Sequence, residues 1–227
     1  MRLMLLRHGQ TPSNLAGALD TARPGAELTA LGHAQARAVP DALRGEPISA
    51  IYASALVRTQ LTAAPLAGAR GLRVAVTEGV EEIAAGDLEM RSDRAAVMTY
   101  LDVTHSWIHG DLKRVMPGGH DGRAFVAGYD AAIANIAATH DEQDTVLVVS
   151  HGAAIRAWVA IRARGIGSAE DRWLENTGMV TLDGDPVAGW DLAAWRAEPL
   201  GGSAPPAATA HDVTGAPVRE AENRAAG

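Results

Sequence analysis

Two short apolar runs in this chain end in the same way. Leu3-Met4-Leu5-Leu6 passes directly into Arg7-His8-Gly9-Gln10-Thr11, and Val146-Leu147-Val148-Val149 passes directly into Ser150-His151-Gly152. Each run is continuous rather than alternating, the pattern of a strand buried on both faces of a parallel sheet. In open α/β sheets the ligand crevice lies just beyond the carboxyl ends of the strands. Two such strands carry two imidazoles to one crevice, and that pair points to phosphoryl transfer on a histidine.

The remaining punctuation suits such a sheet. Thr29 opens a helical pattern through Leu31, Ala34, Ala38 and Leu43, with Pro47 as its stop. Ile48 to Ala53 forms a second strand, and Ser54 is placed to cap a helix from Ala55 to Ala67. Gly68 to Gly71 ends that helix, and Val74-Ala75-Val76 is a third strand. This β-α-β-α-β run predicts an α/β fold, a doubly wound, mostly parallel sheet flanked by helices. Ser92 to Lys113 has helical spacing, Pro117-Gly118-Gly119 breaks the chain, and Asp121 or Gly122 starts another helix. Residues of about 92–122 are therefore expected as a helical cap insertion over one side of the sheet. A helix from Gly152 to about Arg164 follows the fourth strand. Met179 to Leu182 and Val187 to Asp191 are expected as strands joined by a turn at Asp183-Gly184-Asp185-Pro186. The domain is expected over residues 1–198, with a weakly packed tail over 199–227, where Ala, Gly and Pro dominate.

Composition narrows the chemistry. The 227 residues include no cysteine, which excludes disulfides, thiolate metal sites and a cysteine nucleophile. A net charge of -7 argues against non-specific nucleic-acid binding, although local arginines still suit an anionic substrate. No apolar stretch approaches the roughly 20 residues of a membrane span, and the N-terminal run is too short for a signal peptide. No membrane partner is expected, and the expected location is cytoplasmic. No Gly-x-x-x-x-Gly-Lys-Ser/Thr loop occurs. His105 and His109 lie four apart without the intervening Glu of a zinc helix, so solvated or cap-lining roles are favoured and no metal site is expected.

Four constellations carry the chemistry. Arg7 offers a planar fork for two phosphate oxygens, and a neutral His8 offers a lone pair for attack on phosphorus. Gly9 allows close backbone approach, while Thr11 and Asn14 add neutral donors near a helix start. Arg58, one turn into the second helix, is by itself an ordinary surface arginine that can also point back to the strand ends. Glu81-Glu82 is by itself an acidic loop, but a carboxylic acid beside a phosphate ester can protonate the departing oxygen. His151 gains weight because His8 occupies the matching place, and Arg156 is expected to anchor a helix or loop.

Taken together, these pieces resemble the histidine phosphatase superfamily, also called the phosphoglycerate mutase-like family. The resemblance rests on Arg7-His8-Gly9-Gln10-Thr11, Leu28-Thr29-Ala30-Leu31-Gly32, Tyr52-Ala53-Ser54 with Arg58-Thr59, Glu82 with Gly86-Asp87-Leu88-Glu89, and Val149-Ser150-His151-Gly152. It implies His8 as the nucleophile that becomes phosphohistidine and Glu82 as proton donor to the leaving group. It implies a phosphate pocket of Arg7, Arg58 and His151, with Thr11, Asn14 and Gly152 among the substrate contacts. Two departures stand out. Pro117-Gly118-Gly119-His120-Asp121 replaces a Pro-Gly-Gly-Glu-Ser pattern, and Leu88 and Met90 replace the Trp and final Gly of Gly-Asp-Trp-Glu-Gly. Leu15-Ala16-Gly17-Ala18 stands where glycolytic mutases carry a Phe and Gly-Trp motif, which favours phosphatase over mutase.

The expected activity is metal-independent hydrolysis of small phosphate monoesters through phosphohistidine, with no cofactor and a small phosphorylated metabolite as partner. A 2,3-bisphosphoglycerate-dependent mutase and a non-catalytic phospho-ligand module are the alternatives. The substrate and the oligomeric state, a homodimer included, stay open. Lys113 and Arg114 in the cap are candidates for a second anionic group, with a solvated basic face as the equal alternative.

Overall fold

Alternation along β1 (Arg2–Arg7) divides the interior into two layers. The structure, a computed structural model, describes residues 1–167, 172–201 and 215. Leu3 and Leu5 face one layer, and Met4 and Leu6 face the other. β4 (Thr145–Ser150) repeats the pattern, with Val146 and Val148 on the first side and Leu147 and Val149 on the second. Burial on both faces is why these runs lack polar alternation, and each fully buried Leu or Val stabilises the fold by about 1.5–3 kcal/mol.

β2 (Ile48–Ala53), β3 (Val74–Val76), β5 (Ala163–Arg164), β6 (Met179–Asp185) and β7 (Gly189–Arg196) complete a seven-stranded sheet in the order β3-β2-β4-β1-β6-β7-β5. β3, β2, β4 and β1 are parallel neighbours, and only β6 runs against the rest. α2 (Ala30–Ala42) and α3 (Val57–Arg70) cover the Met4 and Leu6 side. α4 (Arg94–Ile108), α5 (Gly122–Ala137) and α6 (Gly152–Arg162) cover the Leu3 and Leu5 side. The sheet is thus mostly parallel and wound on both faces. The chain leaves β1 toward one layer and leaves β4 toward the other, so a crevice opens where these two adjacent strands end.

The expected helix starts at Thr29 and Asp121 hold: each side chain accepts from a backbone N–H three residues on. Other boundaries move. α2 ends at Ala42 rather than at Pro47, because Leu43 turns fully inward and Arg70 Nη2 donates to the carbonyls of Leu43 and Arg44. Ser54 does not cap α3, whose N-cap is Leu56; its hydroxyl is turned to His151 instead. α4 stops at Ile108 rather than near Lys113, with Trp107 buried beneath its last turn. α6 ends at Arg162, because Ala163 and Arg164 pair with β7. β6 runs on through Asp185, so the turn lies at Pro186-Val187-Ala188, where the Asp185 carboxylate accepts from the N–H groups of Val187 and Ala188. Val187, expected in a strand, is 97% exposed at the tip. A short helix, α1 (Pro12–Ala16), forms beyond β1, with Thr11 and Asn14 making reciprocal capping bonds. Apart from 199–201 and 215, the expected tail lies outside the described residues.

Candidate active site

Arg7 of β1 stands opposite Ser150 of β4, so the next residue of each strand is a histidine at the same height. His8 N donates to Ser150 O at 3.1 Å, and the two imidazole centroids are 5.2 Å apart with planes at 60°. The parallel strand ends therefore deliver both rings to one place.

The His8 ring has its tautomer set by its own loop. Nδ1 lies 2.8 Å from the carbonyl of Gly9, which can only accept, so the proton sits on Nδ1 and the lone pair on Nε2. Arg58 Nε donates to that Nε2 at 3.2 Å. Burial, then the charges of Arg58 and Arg7, hold His8 well below the usual imidazole range, against a smaller opposing pull from Gly9. The ring is thus a neutral base aimed with its free nitrogen at a guanidinium. Thr177 N donates to the carbonyls of Arg7 and His8 from a left-handed backbone at φ 58°, and Asn176 Nδ2 donates to His8 O. These contacts hold the His8 backbone from the side opposite β4.

His151 is fully buried, and burial, then Arg58 and His8, hold it well below the ordinary value as well. Its Nε2 is 2.8 Å from Ser54 Oγ, while Nδ1 is buried with no hydrogen-bond partner among the described residues. When Ser54 donates to Nε2, the ring proton falls on Nδ1 and becomes a donor with nothing yet to bind. Arg58 Nη1 is in the same condition, 3.7 Å from Asp20 Oδ2 but without a hydrogen bond. Buried donors left in this state are costly unless an acceptor arrives.

Arg58 is held by a loop that no motif marked. Its Nη2 donates to Asp20 O at 2.8 Å, and Val57 N donates to Pro24 O. Gly25, at φ 73°, passes so close that an added Cβ would stand 2.4 Å from Arg58 Nη1. Gly25→Ala is therefore expected to push the guanidinium off the His8 ring. Misplacement of this order costs roughly 100-fold in kcat/KM. Steady-state kinetics beside a melting curve checks this, since the loss in rate should far exceed the loss in stability.

Glu82 enters from the loop after β3. Tyr100 OH donates to Ile83 O, and Ser150 Oγ donates to Val80 O, pinning that loop on both sides. Glu82 Oε1 accepts from Ile83 N at 2.9 Å and Ala154 N at 2.8 Å, while Oε2 accepts only from Ala153 N at 3.2 Å. The carboxyl group thus serves as the missing cap of α6, whose N-cap His151 makes no side-chain bond. Burial raises its pKa, outweighing the pull of these N–H groups, Arg58 and Arg7. Oε2, with one long bond, is the oxygen best placed to carry a proton.

A cleft of about 240 Å³, open mouth included, is lined by His8, Thr11, Ser13, Asn14, Ala18, Asp20, Arg58 and Glu82. Of the residues expected at the site, His8, Thr11, Asn14, Arg58 and Glu82 thus share one wall. Arg7, His151 and Gly152 lie deeper. Arg7 is fully buried with Nη1 donating to Leu174 O at 2.7 Å, and Gly152 begins α6. The cap side chains do not line this cleft: Trp107 is core, Lys113 and His120 are exposed, and Arg114 pairs with Asp102. Arg156 anchors α6 to the carbonyl of Arg172. Ser13, Ala18 and Asp20 were missed, as was the pairing of Ser54 with His151. Only the Asn176-Thr177-Gly178 turn signal before β6 hinted at the strained clamp on His8.

The chain is 35% identical over 92% of its length to a PE-PGRS family protein of Mycobacterium tuberculosis, of which it spans only 38%. It is 32% identical to the adenosylcobalamin/alpha-ribazole phosphatase of Escherichia coli, over 76% of this chain and 83% of that one. The fold superposes on a mycobacterial glucosyl-3-phosphoglycerate phosphatase solved with VO3, with TM-score 0.72 and 26% identity, over 87% of this chain and 99% of the other. Residues 3–198 match the sequence profile of the histidine phosphatase superfamily (branch 1), and with the paired strand-end histidines in place the chain belongs to that superfamily.

Proposed function

We propose that the protein hydrolyses small phosphate monoesters without a metal, through a phosphohistidine formed on His8. The observation that carries this reading is the opposed tuning of His8 and Glu82 in one cleft: a buried base kept neutral and a buried acid with a raised pKa. His8 Nε2 attacks phosphorus as the bond from phosphorus to the ester oxygen breaks, and Glu82 Oε2 gives its proton to that oxygen. Charge developing on the imidazole is shared with Gly9 O through Nδ1–H. Arg58 leaves the His8 lone pair for the phosphoryl oxygens, joined by Arg7 and by His151 Nδ1–H. Fixed donors of this kind supply most of what a loose phosphoryl transition state needs. Water then attacks phosphorus, Glu82 takes its proton, and the bond from phosphorus to nitrogen breaks to release inorganic phosphate.

Relatives that bear phosphatase names support hydrolysis. A mutase reading has no observation of its own in the cleft, and a pure binding module would use Glu82 only as the cap of α6 and not as an acid. The test is turnover of p-nitrophenyl phosphate by the purified chain in excess chelator. Release of p-nitrophenolate is expected; no release, with inorganic phosphate or vanadate still bound, would overturn hydrolysis in favour of binding alone.

A further inference from the structure

We infer that Asp20 selects the leaving group: the site takes phosphate esters of uncharged, hydroxyl-bearing alcohols and rejects those with a second anion near the ester. This inference rests on the phosphatase reading above and adds the class of substrate to it.

Asp20 lies in the cleft wall beside His8, Arg58 and Glu82, with its side chain 9% exposed. Ser13 Oγ donates to Asp20 Oδ2 at 2.8 Å and Ala26 N donates to the same oxygen at 3.0 Å. Both bonds fall on Oδ2, and Oδ1 takes none from the described residues. The carboxylate is thus fixed in direction, with one oxygen still able to accept. Arg58 Nη1, at 3.7 Å, is too far for a hydrogen bond.

The charges of the wall point the same way. Arg58 is the one cation lining it among the described residues, and Asp20 is an anion beside that cation. The proposed mechanism commits Arg58 to the phosphoryl group, with Arg7 buried behind it. A second anion on the leaving group would find no further cation in this wall among the described residues and would meet the Asp20 carboxylate. The basic residues that could have served it are engaged or remote: Arg23 is paired with Glu78 and Glu81, and Arg114 with Asp102. A hydroxyl on the leaving group, by contrast, can donate to the Asp20 oxygen that takes no bond from the described residues. Repulsion of the wrong partner is as effective a source of selectivity as attraction of the right one.

A matched pair of probes isolates the charge. Glycerol 3-phosphate and 3-phosphoglycerate share a three-carbon skeleton and differ by a hydroxymethyl group against a carboxylate. The wild-type chain is expected to favour glycerol 3-phosphate in kcat/KM by at least about tenfold. Asp20→Asn keeps the shape and removes the charge, and is expected to bring the ratio to about one, chiefly through a lower KM for 3-phosphoglycerate. Ser13→Ala removes a hydrogen bond to the same carboxylate but leaves its charge, so the preference should persist. Equal or better use of 3-phosphoglycerate by the wild type overturns the inference. So does a ratio that Asp20→Asn leaves in place, or one that Ser13→Ala abolishes as fully. In each of these cases p-nitrophenyl phosphate is still hydrolysed and the phosphatase reading stands. Failure to hydrolyse any of the three esters overturns both.

Discussion

Replacing His8 by alanine is expected to lower turnover by on the order of 10⁴-fold or more, the scale of losing a covalent nucleophile. Among the described residues, nothing in the cleft can stand in for it. His151 is the other imidazole, but its Nε2 is tied to Ser54 and it lies deeper than the cleft wall. The chain holds no cysteine to take over. The proposed covalent step gives a second readout. Rapid quenching of the wild type with a radiolabelled ester should leave label on the protein that is stable in base and lost in acid, as a phosphorus–nitrogen bond is. His8→Ala should carry none. Label of the same kind on the variant would place the nucleophile elsewhere. The substitution also leaves Arg58 Nε without its acceptor and opens space beneath it. Phosphate affinity should therefore be measured in parallel, to separate lost chemistry from a disordered pocket.

Glu82→Gln should give a loss that depends on the alcohol being expelled. General acids contribute roughly 10²–10⁴-fold. For an alkyl phosphate, whose alkoxide cannot leave unprotonated, a fall of about 10³-fold in kcat/KM is expected. For p-nitrophenyl phosphate, whose phenolate leaves without a proton, the fall should be far smaller. An equal loss on both esters would show that Glu82 acts through the fold, as the cap of α6, and not as an acid. The pH profile carries the sign. His8 must be neutral, so activity requires a pH above its value, which is held well below the usual imidazole range. Glu82 must be protonated, so activity falls as pH rises through its value, which burial has raised. One shift moves down and the other up, and the pH range in which both groups are in the working form widens. With an alkyl ester the descending limb should vanish in Glu82→Gln, because the group that titrates there is gone.

Much of this arrangement was legible along the chain. The runs Leu3–Leu6 and Val146–Val149 announced buried parallel strands because burial on two faces leaves no polar alternation. Arg7, His8 and His151 stood next to strand ends, where local geometry already aims side chains at the crevice, whereas Arg58 by itself read as an ordinary helix-surface arginine and gained its place from the family resemblance. Glu82 was legible only through the family resemblance, since a carboxylate pair in a loop is otherwise an ordinary solvated feature. The turn at Asp183 to Pro186 was misplaced because Asp and Gly favour turns in isolation. Here Arg2 pairs with Asp183 across the sheet and β6 continues past it.

Local pattern, then, determined β1 to β4, the helix starts at Thr29 and Asp121 and the two histidines, because hydrophobic period and capping act over a few residues. What it could not determine was the company those residues keep. Ser54 beside His151 is separated by 97 positions, Glu82 on the first turn of α6 by about 70, and Arg58 against the Asp20 carbonyl by 38. Such pairings depend on which strand neighbours which, and on what burial does to each charge once water is gone. Only the packed sheet placed Ser13, Ala18 and Asp20 in the cleft wall and left the basic residues of the insertion outside it.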